Sequence, residues 1–210
     1  MKHPLQGAEF MLSVARASQL PPVGPPEIAF AGRSNAGKST AINVLANRSR
    51  LAFASKTPGR TQQINFFRLR SGALLADLPG YGYAAVPQEL KRHWQHFLAR
   101  YLQTRQSLAG LVLLVDARHG LADLDRVLLA DYLPSGRPVL LLATKMDKLA
   151  AGAQRVAERE IVATIGNWFP AHSVNVTVVP FSATRRLGVE AAEATITRWL
   201  GLDSEPLPPA

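Results

Sequence analysis

The sequence predicts an α/β domain, a mostly parallel sheet with helices on both faces. Three observations predict it. Near-continuous apolar runs of strand length, such as residues 108–117 (LAGLVLLVDA) and 138–147 (PVLLLATKMD), read as strands buried on both faces. Amphipathic segments of helical period separate these runs. With 210 residues and 47% hydrophobic content, the chain can bury one full core, with little left for a second domain.

In chain order, residues 27–32 (EIAFAG) read as a buried strand and 38–46 (KSTAINVLA) as a helix. Residues 63–70 (QINFFRLR) and 73–80 (ALLADLPG) flank Ser71-Gly72, which fits a tight hairpin and makes these two strands antiparallel neighbours. ELKRHWQHFLARYL sets Leu90, Trp94, Phe97 and Tyr101 on one helical face. Strands at 108–117, 138–147 and 176–183 then alternate with the helices DLDRVLLADYL, QRVAEREIVATIGNWF and GVEAAEATITRWL. Residues 1–26 read as an N-terminal extension packed on or beside the domain, 27–201 as the domain, and 202–210 as an irregular tail. No internal repeat is visible.

Lys and Arg number 24 against 15 Asp and Glu, a formal charge of +9 that attracts phosphate backbones or other polyanions. Without cysteine there is neither a disulfide framework nor a thiolate metal site. The N-terminal stretch lacks the apolar core of a signal peptide, and no run reaches the roughly 18 apolar residues of a membrane span. A soluble, cytoplasmic protein with no membrane partner is expected.

Gly32-Arg33-Ser34-Asn35-Ala36-Gly37-Lys38-Ser39 satisfies the G-x-x-x-x-G-K-S/T pattern between an expected strand and helix. Its glycines let backbone N–H groups face phosphates, Lys38 reaches the β/γ-phosphates, and the Ser39 hydroxyl can ligate Mg²⁺. Asp77-Leu78-Pro79-Gly80 supplies a carboxylate that can hold Mg²⁺ through water, and a glycine N–H that can sense a γ-phosphate. Thr144-Lys145-Met146-Asp147 places a carboxylate where the N1–H and N2–H₂ of guanine can donate; adenine has no such pair of donors. Phe181-Ser182-Ala183 follows the last strand, where the Ala183 N–H could donate to guanine O6. Alone, Asp147 reads equally as a helix cap and Ser182 as a loop polar group. Their shared order at strand C-terminal ends, where α/β sheets bind ligands, points to one guanine-nucleotide site.

GRSNAGKS, TPGRTQQINFF, DLPGYGYA, TKMD and FSA, in this order over roughly residues 9–200, resemble the EngB (YihA/YsxC) family of ribosome-biogenesis GTP-binding proteins. That family lies within the TrmE-Era-EngA-EngB-septin-like superfamily. The resemblance implies a Ras-like fold with a mostly parallel six-stranded sheet containing one antiparallel strand, and GTP hydrolysis with Mg²⁺. It also implies a role in assembly of the large (50S) ribosomal subunit and a requirement for normal cell division and septation. Carried over, Gly59-Arg60-Thr61-Gln62-Gln63 is switch I and Thr61 gives Mg²⁺ a second hydroxyl beside Ser39, with Thr57 ranked second; Asp77 to Gly80 begin switch II.

Two departures from the common GTPase pattern carry consequences. Thr144 stands where N-K-x-D motifs have Asn, a change EngB-like proteins share, which bears on affinity more than on base identity. Tyr81 follows Gly80 where Ras-type enzymes carry a water-orienting Gln, so turnover without a partner should be slow. Lys38, Mg²⁺ and something more must then neutralise the transferring phosphoryl. Related Era-like GTPases with Asn at the Asn35 position can coordinate K⁺ against the phosphates; the other role open to Asn35 is to stabilise the loop by side-chain hydrogen bonds.

His93 and His96 read as solvated helix positions, and no zinc is assigned. Trp94, Trp168 and Trp199 read as core anchors. Arg48, Arg50, Lys56, Arg60, Arg68, Arg70, Lys91, Arg92, Arg185 and Arg186 lie on segments assigned to the surroundings of the nucleotide, where they serve either solubility or contact with ribosomal RNA phosphates. The chain is thus read as a monomeric GTPase whose partner is the large ribosomal subunit. The rival reading is a GTP-binding interaction protein at the division septum with little turnover; a P-loop kinase conflicts with the guanine-reading motif.

Overall fold

The computed structural model describes residues 4–52, 63–81 and 88–203. Among these residues the strands are β1 (Glu9–Val14), β2 (Glu27–Gly32), β3 (Ile64–Arg68), β4 (Leu74–Asp77), β5 (Leu108–Asp116), β6 (Val139–Thr144) and β7 (Val176–Pro180). The α-helices are α1 (Lys38–Leu45), α2 (Gln88–Thr104), α3 (Asp123–Tyr132), α4 (Ala151–Trp168) and α5 (Val189–Trp199). The strands form one sheet in the order β1-β3-β4-β2-β5-β6-β7. β3 pairs antiparallel with both β1 and β4, and every other pairing is parallel, so β3 is the single reversed strand. The Ras-like α/β class is as expected.

The apolar runs are continuous because each central strand is covered twice. Along β5, Leu111, Leu113 and Val115 face a core that takes in Phe97 and Tyr101 of α2, Leu129 and Tyr132 of α3, and Ile161 and Ile165 of α4. Val112 and Leu114 face the opposite core, with Ala41, Ile42 and Leu45 of α1 and Val189, Ala192 and Ile196 of α5. Period-two alternation thus divides one apolar run between two layers of helix. The side chains of Leu90, His93 and Trp94 lie outside the described residues. His96 is exposed, Trp168 is half-buried beneath the Arg126 guanidinium, 5.6 Å from its ring centre, and Trp199 packs on the α1–α5 side.

The hairpin expected at Ser71-Gly72 is present: Gly72 has φ +87°, and the Leu69 N–H donates to the Ala73 carbonyl at 2.8 Å. The strand count differs from expectation by one. Residues 9–14 of the N-terminal extension add β1 to the sheet edge, with Val14 fully buried on it and Leu5 and Ala8 buried just before the strand. β1 pairs with residues fifty or more positions away, a non-local contact that no adjacent turn announces.

Beneath the sheet, at the start of β2, Glu27 is fully buried and receives the Arg105 guanidinium, whose Nε donates at 3.0 and 3.1 Å, and the Tyr101 hydroxyl at 3.1 Å. This paired charge pins the end of α2 to the sheet, at the opposite end from the loops that follow the parallel strands.

Candidate nucleotide site

β2, β4, β5, β6 and β7 all end at one edge of the sheet, and the loops leaving those ends build the site. The loop from β2 into α1 contains Gly32 to Ser39. Gly37 adopts φ +92° at the N-cap of α1, a conformation that favours glycine, and it turns the chain so that the first N–H groups of α1 face the loop interior. Asn35 is also left-handed, at φ +66°, which Asn tolerates better than most residues. Lys38 is ion-paired with Asp77 at the end of β4. Parallel pairing of Phe30 with Asp77, and donation by the Leu78 N–H to the Phe30 carbonyl at 2.9 Å, bring Asp77-Leu78-Pro79-Gly80 beside the loop.

The corner expected to read the base is built from β5, β6 and β7. Thr144 is buried, and its hydroxyl lies 2.7 Å from the Ala36 carbonyl and 3.2 Å from that of Val115, so it can donate to either. Thr144 therefore ties β6 to the phosphate loop. Lys145 reaches back across the loop: its ammonium donates to the Asn35 carbonyl at 2.7 Å and pairs with Asp116 at 2.9 Å. Met146 is buried, and its N–H donates to the Phe181 carbonyl at 3.2 Å. The Ser182 hydroxyl donates to the Asp147 carboxylate at 2.6 Å, and chiefly through this bond Asp147 is held below the usual carboxylate range. Asp147 is thus an ionised acceptor of fixed orientation, suited to a pair of adjacent donors. Phe181 is buried under the corner and Ala183 stands half-exposed beside it.

A family model described as 50S ribosome-binding GTPase matches residues 27–145. A "probable GTP-binding protein EngB" from an Azoarcus species is 52% identical over 195 residues, covering 93% of this chain and 92% of its own. Its counterpart from Aromatoleum aromaticum is 52% identical over 206 residues, covering 97% and 92%. The chain belongs to the EngB family of GTP-binding proteins. The crystal structure of a probable GTP-binding protein engB superposes with a TM-score of 0.60 at 21% identity, covering 83% of this chain and 98% of that one. That likeness supports the shared fold.

For an EngB-family chain, the structure brings together the phosphate loop, Asp77 to Gly80, Thr144 to Asp147 and Phe181 to Ala183. Of the switch I assignment only Gln63 is described, half-buried just before β3; Gly59, Arg60, Thr61, Gln62 and the competitor Thr57 lie outside the described residues, as does Lys56. Arg68 departs from expectation. It pairs in register with Glu9 and Leu74, level with Glu27 at the start of β2, so it sits at the end of the sheet away from the phosphate loop. β3 runs antiparallel to β4, so each successive residue along it lies further from the phosphate loop.

Asp116 escaped sequence reasoning. Burial works against its charge, but hydrogen bonds from Arg118, whose Nε and Nη2 donate at 2.9 and 2.7 Å, and from Lys145 outweigh this and hold it well below the usual range. The available signal was a carboxylate closing a nine-residue apolar strand, at the sheet edge where ligands bind.

Proposed function

We propose that this chain is a slow Mg²⁺-dependent GTPase that acts in assembly of the large (50S) ribosomal subunit and is needed for normal cell division and septation. The observation that carries the nucleotide part is the base-reading corner: an ionised Asp147 fixed by Ser182, two residues from a lysine tied to the phosphate loop. The ribosomal part is supported by the description of the matching family model as 50S ribosome-binding.

The donor set fits Mg²⁺. Ser39 lies on the first turn of α1, and Asp77 lies beside Lys38 with its carboxylate at the loop. Ser39 and Thr61 would hold the ion directly and Asp77 through water; when bound, it neutralises charge developing on the phosphates. Lys38 exchanges its carboxylate partner for the β/γ-phosphates as nucleotide enters. Slow turnover is supported by Tyr81, whose hydroxyl is engaged by Asp125 and which has no amide to orient water. K⁺ held at Asn35 against the phosphates would supply part of the missing charge compensation.

The positive excess supports contact with ribosomal RNA through Arg- and Lys-to-phosphate pairs, by a monomer in the cytoplasm. Arg60 carries the GTP-dependent part of this reading, whereas Arg68, being remote from the loop, would contribute equally in either nucleotide state. Among the described residues no helix is long and apolar enough to cross a membrane.

The test pairs steady-state phosphate release, with and without large subunits, with co-sedimentation in GTP, GDP and no nucleotide across a salt series. Release should rise with subunits, and binding should require GTP and fall with salt by several logarithmic units per unit log salt. Unchanged release together with nucleotide-independent sedimentation would replace this reading by that of an interaction protein with little turnover.

A further inference from the structure

Beside the phosphate loop, a cleft of about 260 Å³ is lined by Arg33, Asn35, Tyr81, Asp116 and Arg118 among others. Behind Arg33 and Tyr81 a ring of polar contacts ties the phosphate loop and the residue after Gly80 to the loop that leads into α3, through side chains given no part in the nucleotide chemistry above. The Tyr81 hydroxyl donates to Asp125 Oδ1 at 2.7 Å. Asp125 is fully buried; its other oxygen accepts from the Ala122 N–H at 2.8 Å and faces Arg33 Nε at 3.6 Å. Arg33 Nη2 donates to the Gly120 carbonyl at 3.0 Å. The ring is closed on the backbone, where Arg33 and Tyr81 form a parallel bridge and the Ser34 N–H donates to the Tyr81 carbonyl at 3.0 Å.

Capping of α3 does not explain the arrangement. The oxygen facing Ala122 satisfies the helix terminus, which leaves Oδ1 for Tyr81 alone. Burial pushes the Asp125 carboxyl and the Tyr81 phenol upward, so each group depends on its partner to be accommodated in the interior. What the ring holds is the residue before Tyr81. Gly80 packs so closely on the phosphate loop that a Cβ there would lie 3.1 Å from Ser34 Oγ.

We propose that Tyr81 and Asp125 form a positioning pair that holds the Gly80 amide against the phosphate loop, and so strengthen binding of a nucleotide that carries a γ-phosphate relative to one that does not. Tyr81 occupies the position of a water-orienting Gln, but its side chain turns toward α3 and works through the backbone of Gly80. An amide held by this pair receives the γ-phosphate at a lower entropy cost than one on an untethered loop. GDP has no group for Gly80 and gains nothing from it. The inference rests on the GTP-binding reading of the cleft.

The experiment measures affinity of the full chain, with Mg²⁺, for fluorescent GDP and for a non-hydrolysable GTP analogue in Tyr81→Phe, Asp125→Asn and the double variant. Loss of one hydrogen bond to a buried charge should weaken the analogue about tenfold. GDP affinity should stay within about twofold, and the double variant should match the weaker single one, because both substitutions remove the same charge-assisted hydrogen bond. Tyr81→Phe keeps the ring and its packing, so it decides the matter if Asp125→Asn does not fold. Equal losses for the two nucleotides, no loss at all, or additive losses in the double variant would overturn the pair while leaving GTP binding intact. A wild-type chain that binds neither nucleotide would overturn both readings.

Discussion

Replacing Asp147 by Asn tests the base-reading corner most directly. The side chain is only 13% exposed, and the Ser182 hydroxyl at 2.6 Å fixes one oxygen. Guanine would donate N1–H and N2–H₂ to this carboxylate, and each hydrogen bond to a charged acceptor contributes about 1.5–3 kcal/mol. Asn can keep its carbonyl oxygen toward Ser182, but it then presents an NH₂ group to a guanine donor. One bond is lost outright and the other becomes donor facing donor, a loss of about 3–5 kcal/mol, or about 100-fold to several thousand-fold in affinity. Xanthine offers a carbonyl where guanine has N2–H₂, so the new amide can donate to it and the preference inverts. Parallel titrations with fluorescent GDP and xanthosine diphosphate give both sides of the inversion. Ser182→Ala provides the intermediate case: the carboxylate stays but loses its orientation, and guanine affinity should fall about tenfold without any gain for xanthine. If Asp147→Asn retains GDP within about threefold, the carboxylate does not read the base and the assignment fails.

Thr61→Ala should weaken Mg²⁺-dependent binding of GTP more than of GDP, whereas a strong effect confined to Thr57→Ala would reassign the hydroxyl. Arg105→Ala leaves Glu27 charged and unpaired in the interior and should destabilise the fold by about 3–5 kcal/mol; chemical denaturation checks it, and a loss under about 1 kcal/mol would show the pair to be dispensable. Asp116 is held below the usual carboxylate range, so its contribution to stability is complete above the unfolded value of about 3.9 and is lost as pH falls from there toward the depressed folded value. Melting curves of Asp116→Asn should lie below wild type at pH 7 and converge with it on acidification below about pH 4; a constant gap would show that the charge carries none of the effect.

The sequence by itself determined the parts that are local in the chain. The P-loop is a continuous stretch whose glycine spacing states its own geometry. The two-sided burial of β2, β5 and β6 is written as unbroken apolar runs, and the β3–β4 hairpin is announced by Ser71-Gly72 between two strands. The meeting of Thr144 to Asp147 with Phe181 to Ala183 was legible because each segment follows directly on a strand end, and parallel strands deliver their ends to one edge. Tertiary structure decided what depends on partners distant in sequence. β1 joins the sheet only because β3 offers it an edge. Arg68 sits at the end of the sheet away from the phosphate loop because its strand runs in reverse. Asp116 meets Lys145, and Asp125 meets Tyr81 and Arg33, across separations of 29, 44 and 92 residues. Such pairings leave no period or spacing in the chain, since a buried charge is selected by the group that folding places opposite it, and only the assembled sheet fixes which group that is.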